Sequence, residues 1–90
     1  MGTKKVKYID YFNSYTPLAK FEKKRSPIVV EFKTDDPERW FIEVIRYQRK
    51  SGKVSESYYI IKKDLDQWVE GLLREGFTIS WKESNFLTNF

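Results

Sequence analysis

The sequence predicts an α+β domain: an antiparallel sheet of four to five strands with one long amphipathic helix packed on one face. Three observations lead there. Runs rich in β-branched and aromatic residues recur between turn signals, at residues 28–33, 40–50 and 54–62. Ser51-Gly52 marks a tight turn between the second and third of them. Residues 65–73 carry the apolar spacing of a helix that faces a core.

Taken in order, residues 4–12 (KKVKYIDYF) alternate loosely and read as a first strand. Residues 13–27 read as a connector. Within it, Thr16-Pro17 suits the start of a short helix with Leu18 and Phe21 on one side, and a solvated basic loop fits equally well. IVVEFK, residues 28–33, is a strand, and Thr34-Asp35-Asp36-Pro37 is a turn signal. WFIEVIRYQRK and VSESYYIIK form a hairpin whose tip is Arg49-Lys50-Ser51-Gly52-Lys53. Asp64 followed by Gln67 has the spacing of a capping box. Beyond it Leu65, Trp68, Val69, Leu72 and Leu73 share a stripe, and Gly76 is placed to end the helix in a left-handed cap. In FTISWKE, Phe77, Ile79 and Trp81 alternate with Thr78, Ser80 and Lys82, as in a closing strand. Residues 1–27 thus form a basic N-terminal strand and connector, and residues 28–83 the sheet and helix of a single domain.

Composition narrows the chemistry. The 90 residues include neither cysteine nor histidine, which excludes disulfides, thiolate and imidazole catalysis and most zinc and iron sites. No catalytic group, metal or cofactor is expected, and the protein is not read as an enzyme. No apolar run approaches the ~20 residues of a membrane span. Residues 1–6 lack the apolar core of a signal peptide, so an intracellular location (cytoplasm, nucleoid or nucleus) without membrane contact is expected.

The net charge of +4 is unevenly spread. Residues 1–33 hold eight cations against three anions, residues 46–63 six against one, and residues 64–76 one against four. With aromatics at 18%, this segregation favours a polyanionic partner met by rings and cations together. Along residues 40–50 one face carries Trp40, Ile42, Val44, Arg46 and Gln48, and the other Phe41, Glu43, Ile45, Tyr47 and Arg49. The Ile42/Val44 face is expected to be core, which leaves Phe41, Tyr47 and Arg49 to a ligand. Tyr58 and Tyr59 point opposite ways, as do Lys62 and Lys63, and alternation does not say which way each points. Lys23-Lys24-Arg25 is either a phosphate grip or a solvated loop. The same rings also fit a dimer interface with a cationic edge that resists aggregation. Glu31-Phe32-Lys33 matches the short E-x-K pattern of metal-dependent nucleases, with Asp10, Asp35 and Asp36 as further acids, but the pattern is common on sheet surfaces.

The segments IVVEF, WFIEVIRYQRKSGK and SYYIIKKDLDQWVEGLL, from Ile28 to about Gly76, resemble the PUR-domain family of single-strand binders. They resemble more loosely the Whirly proteins and the transcriptional positive cofactor four, whose helix opens on Asn-Pro-Glu-Gln-Trp where this chain has Asp64-Leu65-Asp66-Gln67-Trp68. The resemblance implies strands that hold single-stranded DNA or RNA, and a homodimer that supplies a second repeat. It also implies contacts from Lys33, Arg46, Tyr47, Arg49, Lys50 and Lys53. The basic N-terminal third and the strand after the helix lie outside one such repeat. The expected nucleic-acid set is therefore Lys33, Phe41, Arg46, Tyr47, Arg49, Lys50, Lys53, Tyr58, Tyr59 and Lys62. A protein-binding adaptor or inhibitor module is the main alternative.

Overall fold

A computed structural model describes residues 15–84 and 86. Five strands form one antiparallel sheet: β1 (Thr16–Glu22), β2 (Ile28–Thr34), β3 (Phe41–Gln48), β4 (Val54–Ile61) and β5 (Thr78–Lys82). The first four run as a meander, and β5 returns beside β1, which gives the order β4-β3-β2-β1-β5. A turn of 3-10 helix (Lys62–Asp64) and helix α1 (Leu65–Arg74) make the crossing from one edge to the other. The α+β class, the antiparallel sheet and the single helix are as the sequence predicts, although the α-helical part spans only 10 residues.

The core lies between the helix and one face of the sheet. Phe21, Val30, Phe32, Ile42, Val44 and Ile60 supply the sheet side, and Val69 and Leu72 the helix side. Cross-strand pairing stacks them: Phe21 opposite Val30, Phe32 opposite Val44 and Ile42 opposite Ile60. Phe32 meets the rings of Phe21 and Phe86 at centroid distances of 5.4 and 6.0 Å. Each of these fully buried large side chains contributes on the order of 2 kcal/mol of transfer free energy.

Several expectations need correction. Residues 16–22 form strand β1, an interior strand between β2 and β5, and neither the short helix nor the loop. Pro17 is tolerated because the register shifts between Pro17 and Ala19, a bulge that absorbs a residue without an N–H. The sheet therefore begins well before residue 28. The strand expected at residues 4–12 lies outside the described residues. Asp64 makes no side-chain cap: it ends the 3-10 turn, where the chain is already helical, and so no capping box forms. The helix stripe is narrower than its periodicity implies. Val69 and Leu72 are buried and Leu65 is partly buried, whereas Trp68 and Leu73 flank the contact and stay exposed.

Trp81 is a further correction. Phe21 pairs with Ile79 but Lys20 pairs with Trp81, so the extra residue Ser80 turns Trp81 away from the helix. Strict alternation had placed it with Phe77 and Ile79.

The helix ends as its glycine suggests. Gly76 has φ +104, its N–H donates to Leu73 O (3.1 Å), and Phe77 N–H donates to Leu72 O (3.0 Å). These are the two bonds of a Schellman cap, with buried Phe77 and Leu72 as its hydrophobic contact. A Cβ at this position would lie 3.2 Å from Lys23 Cε. Gly76→Ala is therefore expected to cost about 1–2 kcal/mol, read as a lower urea midpoint at unchanged m-value.

Candidate nucleic-acid interface

The helix covers one face of the sheet, and the other carries a mixed set of rings and charges. Cross-strand rows define it. Tyr59, Glu43 and Lys33 lie in one row, and Ser57, Ile45, Glu31, Lys20 and Trp81 in the next. Val54, Tyr47, Val29, Glu22 and Thr78 form a third, and Phe41 beside Ile61 closes the far corner. Phe41 is 56% exposed, Tyr59 54% and Trp81 48%, which makes them the large rings of this face open to solvent. Pro17, Lys20, Glu31 and Trp81 line a shallow depression of about 440 Å³ near the β5 edge.

The candidate residues divide between two faces. Lys33, Phe41, Tyr47 and Tyr59 share the open face, and Arg49 lies at its end. Arg46 and Tyr58 are on the helix side. Arg46 lies between Glu56 (3.6 Å) and Glu75 (3.7 Å) and above the ring of Phe77 (5.7 Å). The Tyr58 ring packs against Trp68 at 5.1 Å. They are held in the contact between helix and sheet and do not join the others in one surface. Lys50 and Lys53 are exposed in the hairpin turn, and Lys62 reaches over the ring of Trp40 at 5.7 Å.

On the open face several groups are already engaged. Tyr47 is half-buried and donates its hydroxyl to Glu31. Burial first, and Glu31 second, push that hydroxyl above the ordinary tyrosine range. Arg49 pairs with Glu22 at 3.1 Å and donates to Ser26 O at 3.0 Å. Ser57 donates to Glu43 at 2.7 Å. Tyr59 and Tyr15 share a hydroxyl bond of 3.0 Å, and Lys33 Nζ lies 5.7 Å above the ring of Tyr15. The cations Lys20, Lys33 and Arg49 are matched in number by Glu22, Glu31 and Glu43, so the described residues of this face are electrically balanced.

Alternation along β1 and β5, interrupted by bulges, hid Lys20 and Trp81 from the candidate set. Their signal was the TPLAKFE segment itself, whose Lys20 takes the outward position once the segment is seen as a strand.

The loop between β2 and β3 holds the Trp40–Phe41 corner in place. Buried Thr34 donates its hydroxyl to Phe41 O (2.7 Å) and accepts from Asp36 N–H (3.0 Å). The Asp36 carboxylate accepts from the backbone N–H of Glu38 (3.0 Å), Trp40 (2.8 Å) and Phe41 (3.3 Å), and these bonds, Glu38's foremost, lower its pKa. The Asp35–Glu38 stretch is thus a turn stabilised from within. Arg39 clamps Glu83 with both guanidinium nitrogens and lowers that carboxyl's pKa. Among the described residues no group of three acidic side chains is placed to hold a metal ion. Glu31 of the E-x-K pattern is bonded to Tyr47. Among the described residues no helix is long and apolar enough to cross a membrane. No family model matches the chain, and no curated protein or solved structure matches it.

Asp36 and Glu83 carry lowered pKa values, so their contribution is present above the unfolded-state pKa and is lost as pH falls through the folded one. Stability should therefore decline below about pH 4. Urea unfolding at stepped pH should show a shallower decline in Asp36→Ala with Glu83→Gln than in the natural chain.

Proposed function

We propose that this protein binds single-stranded DNA or RNA, largely without sequence preference, by stacking bases on the open face of its sheet. One observation carries the reading: the face away from the helix presents Phe41 and Tyr59 on neighbouring strands and Trp81 at the β5 edge, with Lys33 and Lys20 on the strands between. Unpaired bases offer flat apolar faces to such rings, whereas the stacked bases of a duplex do not. The resemblance of residues 28–76 to PUR-domain binders supports the same reading. So does the absence of histidine and cysteine, which leaves binding better supplied with groups than catalysis.

The engaged state of Tyr47 shifts its role in this proposal. Its hydroxyl bond to Glu31 and its half-buried ring make it a support for the face, and stacking falls to the exposed rings. Arg46 and Tyr58 likewise act by fixing the helix to the sheet. A homodimer belongs to the same proposal, since β4 is an edge strand of the sheet among the described residues.

A second reading, a protein-binding module, rests on a separate feature. Trp40, Phe41, Ile61, Lys62 and Lys63 line an apolar depression of about 280 Å³ beside the β4 edge. An exposed aromatic pocket next to a free strand edge suits a peptide that adds a strand. The two readings differ in salt response, because phosphate contacts weaken with salt and an apolar pocket does not.

Fluorescence anisotropy with labelled single-stranded DNA, single-stranded RNA and duplex DNA tests the proposal. Single strands should bind more tightly than duplex. Each of Phe41→Ala, Tyr59→Ala and Trp81→Ala should cost about 1–3 kcal/mol of binding free energy. Equal affinity in the triple variant, or no binding to any of the three nucleic acids at low salt, would refute stacking on this face.

A further inference from the structure

The open face offers rings, but its cations are balanced by glutamates. The charge imbalance lies at one end of the sheet. There the β1–β2 and β3–β4 turns meet: Arg49 N–H donates to Pro27 O at 2.7 Å, and the Arg49 guanidinium donates to Ser26 O. The C-terminus of the helix arrives at the same end, where Lys23 lies against Gly76 and 5.7 Å above the ring of Phe77. The acids of this end, Glu22, Glu56 and Glu75, already stand in ion pairs with Arg49 or Arg46. Lys24, Arg25, Lys50 and Lys53 are exposed, and none has an ion-pair partner among the described residues.

A second observation concerns Arg25. It has φ +68 in the turn closed by Ser26 N–H donating to Lys23 O at 3.1 Å. This third turn position, in the left-handed region, suits glycine or asparagine. Arg39 is also left-handed, with φ +61, but Glu83 clamps its guanidinium and compensates the strain. Arg25 has no such compensation within the described chain. A strained backbone that presents a cation to solvent is the kind of outlier from which a ligand contact is argued.

We infer that the two turns form a phosphate grip, with Lys24 and Arg25 on one side and Lys50 and Lys53 on the other. The ligand is a run of phosphodiester oxygens from the strand whose bases stack on the open face, so the inference rests on the single-strand reading above. Arg25 supplies a planar fork that matches two phosphate oxygens, and the lysines supply point charges. Phosphate contact and base contact thereby come from different parts of the molecule.

The full chain, titrated with a labelled single-stranded oligonucleotide at several salt concentrations, tests this. Three variants are compared with it: Arg25→Asn, the quadruple Lys24→Ala, Arg25→Asn, Lys50→Ala, Lys53→Ala, and the face variant Lys20→Ala, Lys33→Ala. The quadruple variant should flatten the slope of log K against log salt by about 2 to 3, from about 0.7 for each of its lost phosphate contacts. Arg25→Asn should weaken binding about threefold to tenfold, as expected for a single phosphate contact. It should also raise Tm by about 4 °C as strain is relieved, so its weaker binding would not reflect unfolding. A lower Tm would overturn the strain argument. A quadruple variant with the natural slope, and loss of slope in the face variant instead, would overturn the grip and leave the single-strand reading in place. Failure of the natural chain to bind any single strand at low salt would remove both. Equal binding of duplex DNA, with the slope still lost in the quadruple variant, would refute the single-strand reading and overturn the stacked strand as the grip's ligand, while locating phosphate contacts at the two turns.

Discussion

A chain that leaves a sheet at β4 and returns beside β1 must carry its connection across the full width of one face. Five strands at about 4.8 Å spacing are about 19 Å wide, and a 10-residue helix is about 15 Å long. The 3-10 turn before it and the Glu75–Phe77 cap after it supply the remaining reach. This single crossing fixes much else. It spends the only helix among the described elements on one side, so no described helix covers the other side of the sheet. It makes β4 and β5 run in the same direction at opposite edges. It also brings the helix C-terminus to the end of the sheet where the β1–β2 and β3–β4 turns already lie. The Schellman cap at Gly76 is what lets the chain turn there and enter β5 with Phe77 still in the core.

From that constraint follows the separation of charge along the strands. Cations collect in the two turns of one end, beside a helix C-terminus whose partial negative charge suits them. At the other end Asp35, Asp36, Glu38, Asp64 and Asp66 outnumber Arg39, Lys62 and Lys63 in the 3-10 turn, the helix start and the β2–β3 loop. The uneven charge visible along the sequence is therefore converted by the topology into a difference between two ends, and the sheet face between them is close to neutral. Where a basic segment falls in the chain says little about which face it serves until the crossing is known.

Strands β2 and β3 and the helix were legible from the β-branched and aromatic run IVVEF, a period of two in FIEVI and a period of three to four in Leu65, Val69 and Leu72, and β4 from the Ser51-Gly52 turn before it, despite a bulge at Ser55. What escaped lay where a period is broken. The bulge after Pro17 disguised β1 as a connector, and the bulge at Ser80 sent Trp81 to the opposite face. Asp64 satisfies the spacing of a cap, but the 3-10 turn before the helix already places it in helical backbone. For the candidate interface, alternation correctly put Ile42 and Val44 inside and Phe41 outside. It put Tyr47 outside as well, but could not show that its hydroxyl is bonded to Glu31, since that pairing depends on the register between β2 and β3. Nor could it choose between Tyr58 and Tyr59. That choice follows from the pairing of Val44 with Tyr58, which sends Tyr58 to Trp68 and leaves Tyr59 on the bare face.

The two left-handed arginines separate structural from functional uses of the same residue type. Both occupy turn positions where a side chain costs conformational energy, and both keep a long cation there. At Arg39 the return is visible inside the fold: the clamp on Glu83 ties the β2–β3 loop to the segment after β5 and so secures the Trp40–Phe41 corner. At Arg25 the same backbone cost is met with no partner from the described chain, in a turn whose neighbouring acids are all engaged. Turn chemistry alone would favour asparagine or glycine at both places. An arginine at Arg39 is explained by what it holds; at Arg25 the proposed phosphate contact would supply the corresponding reason.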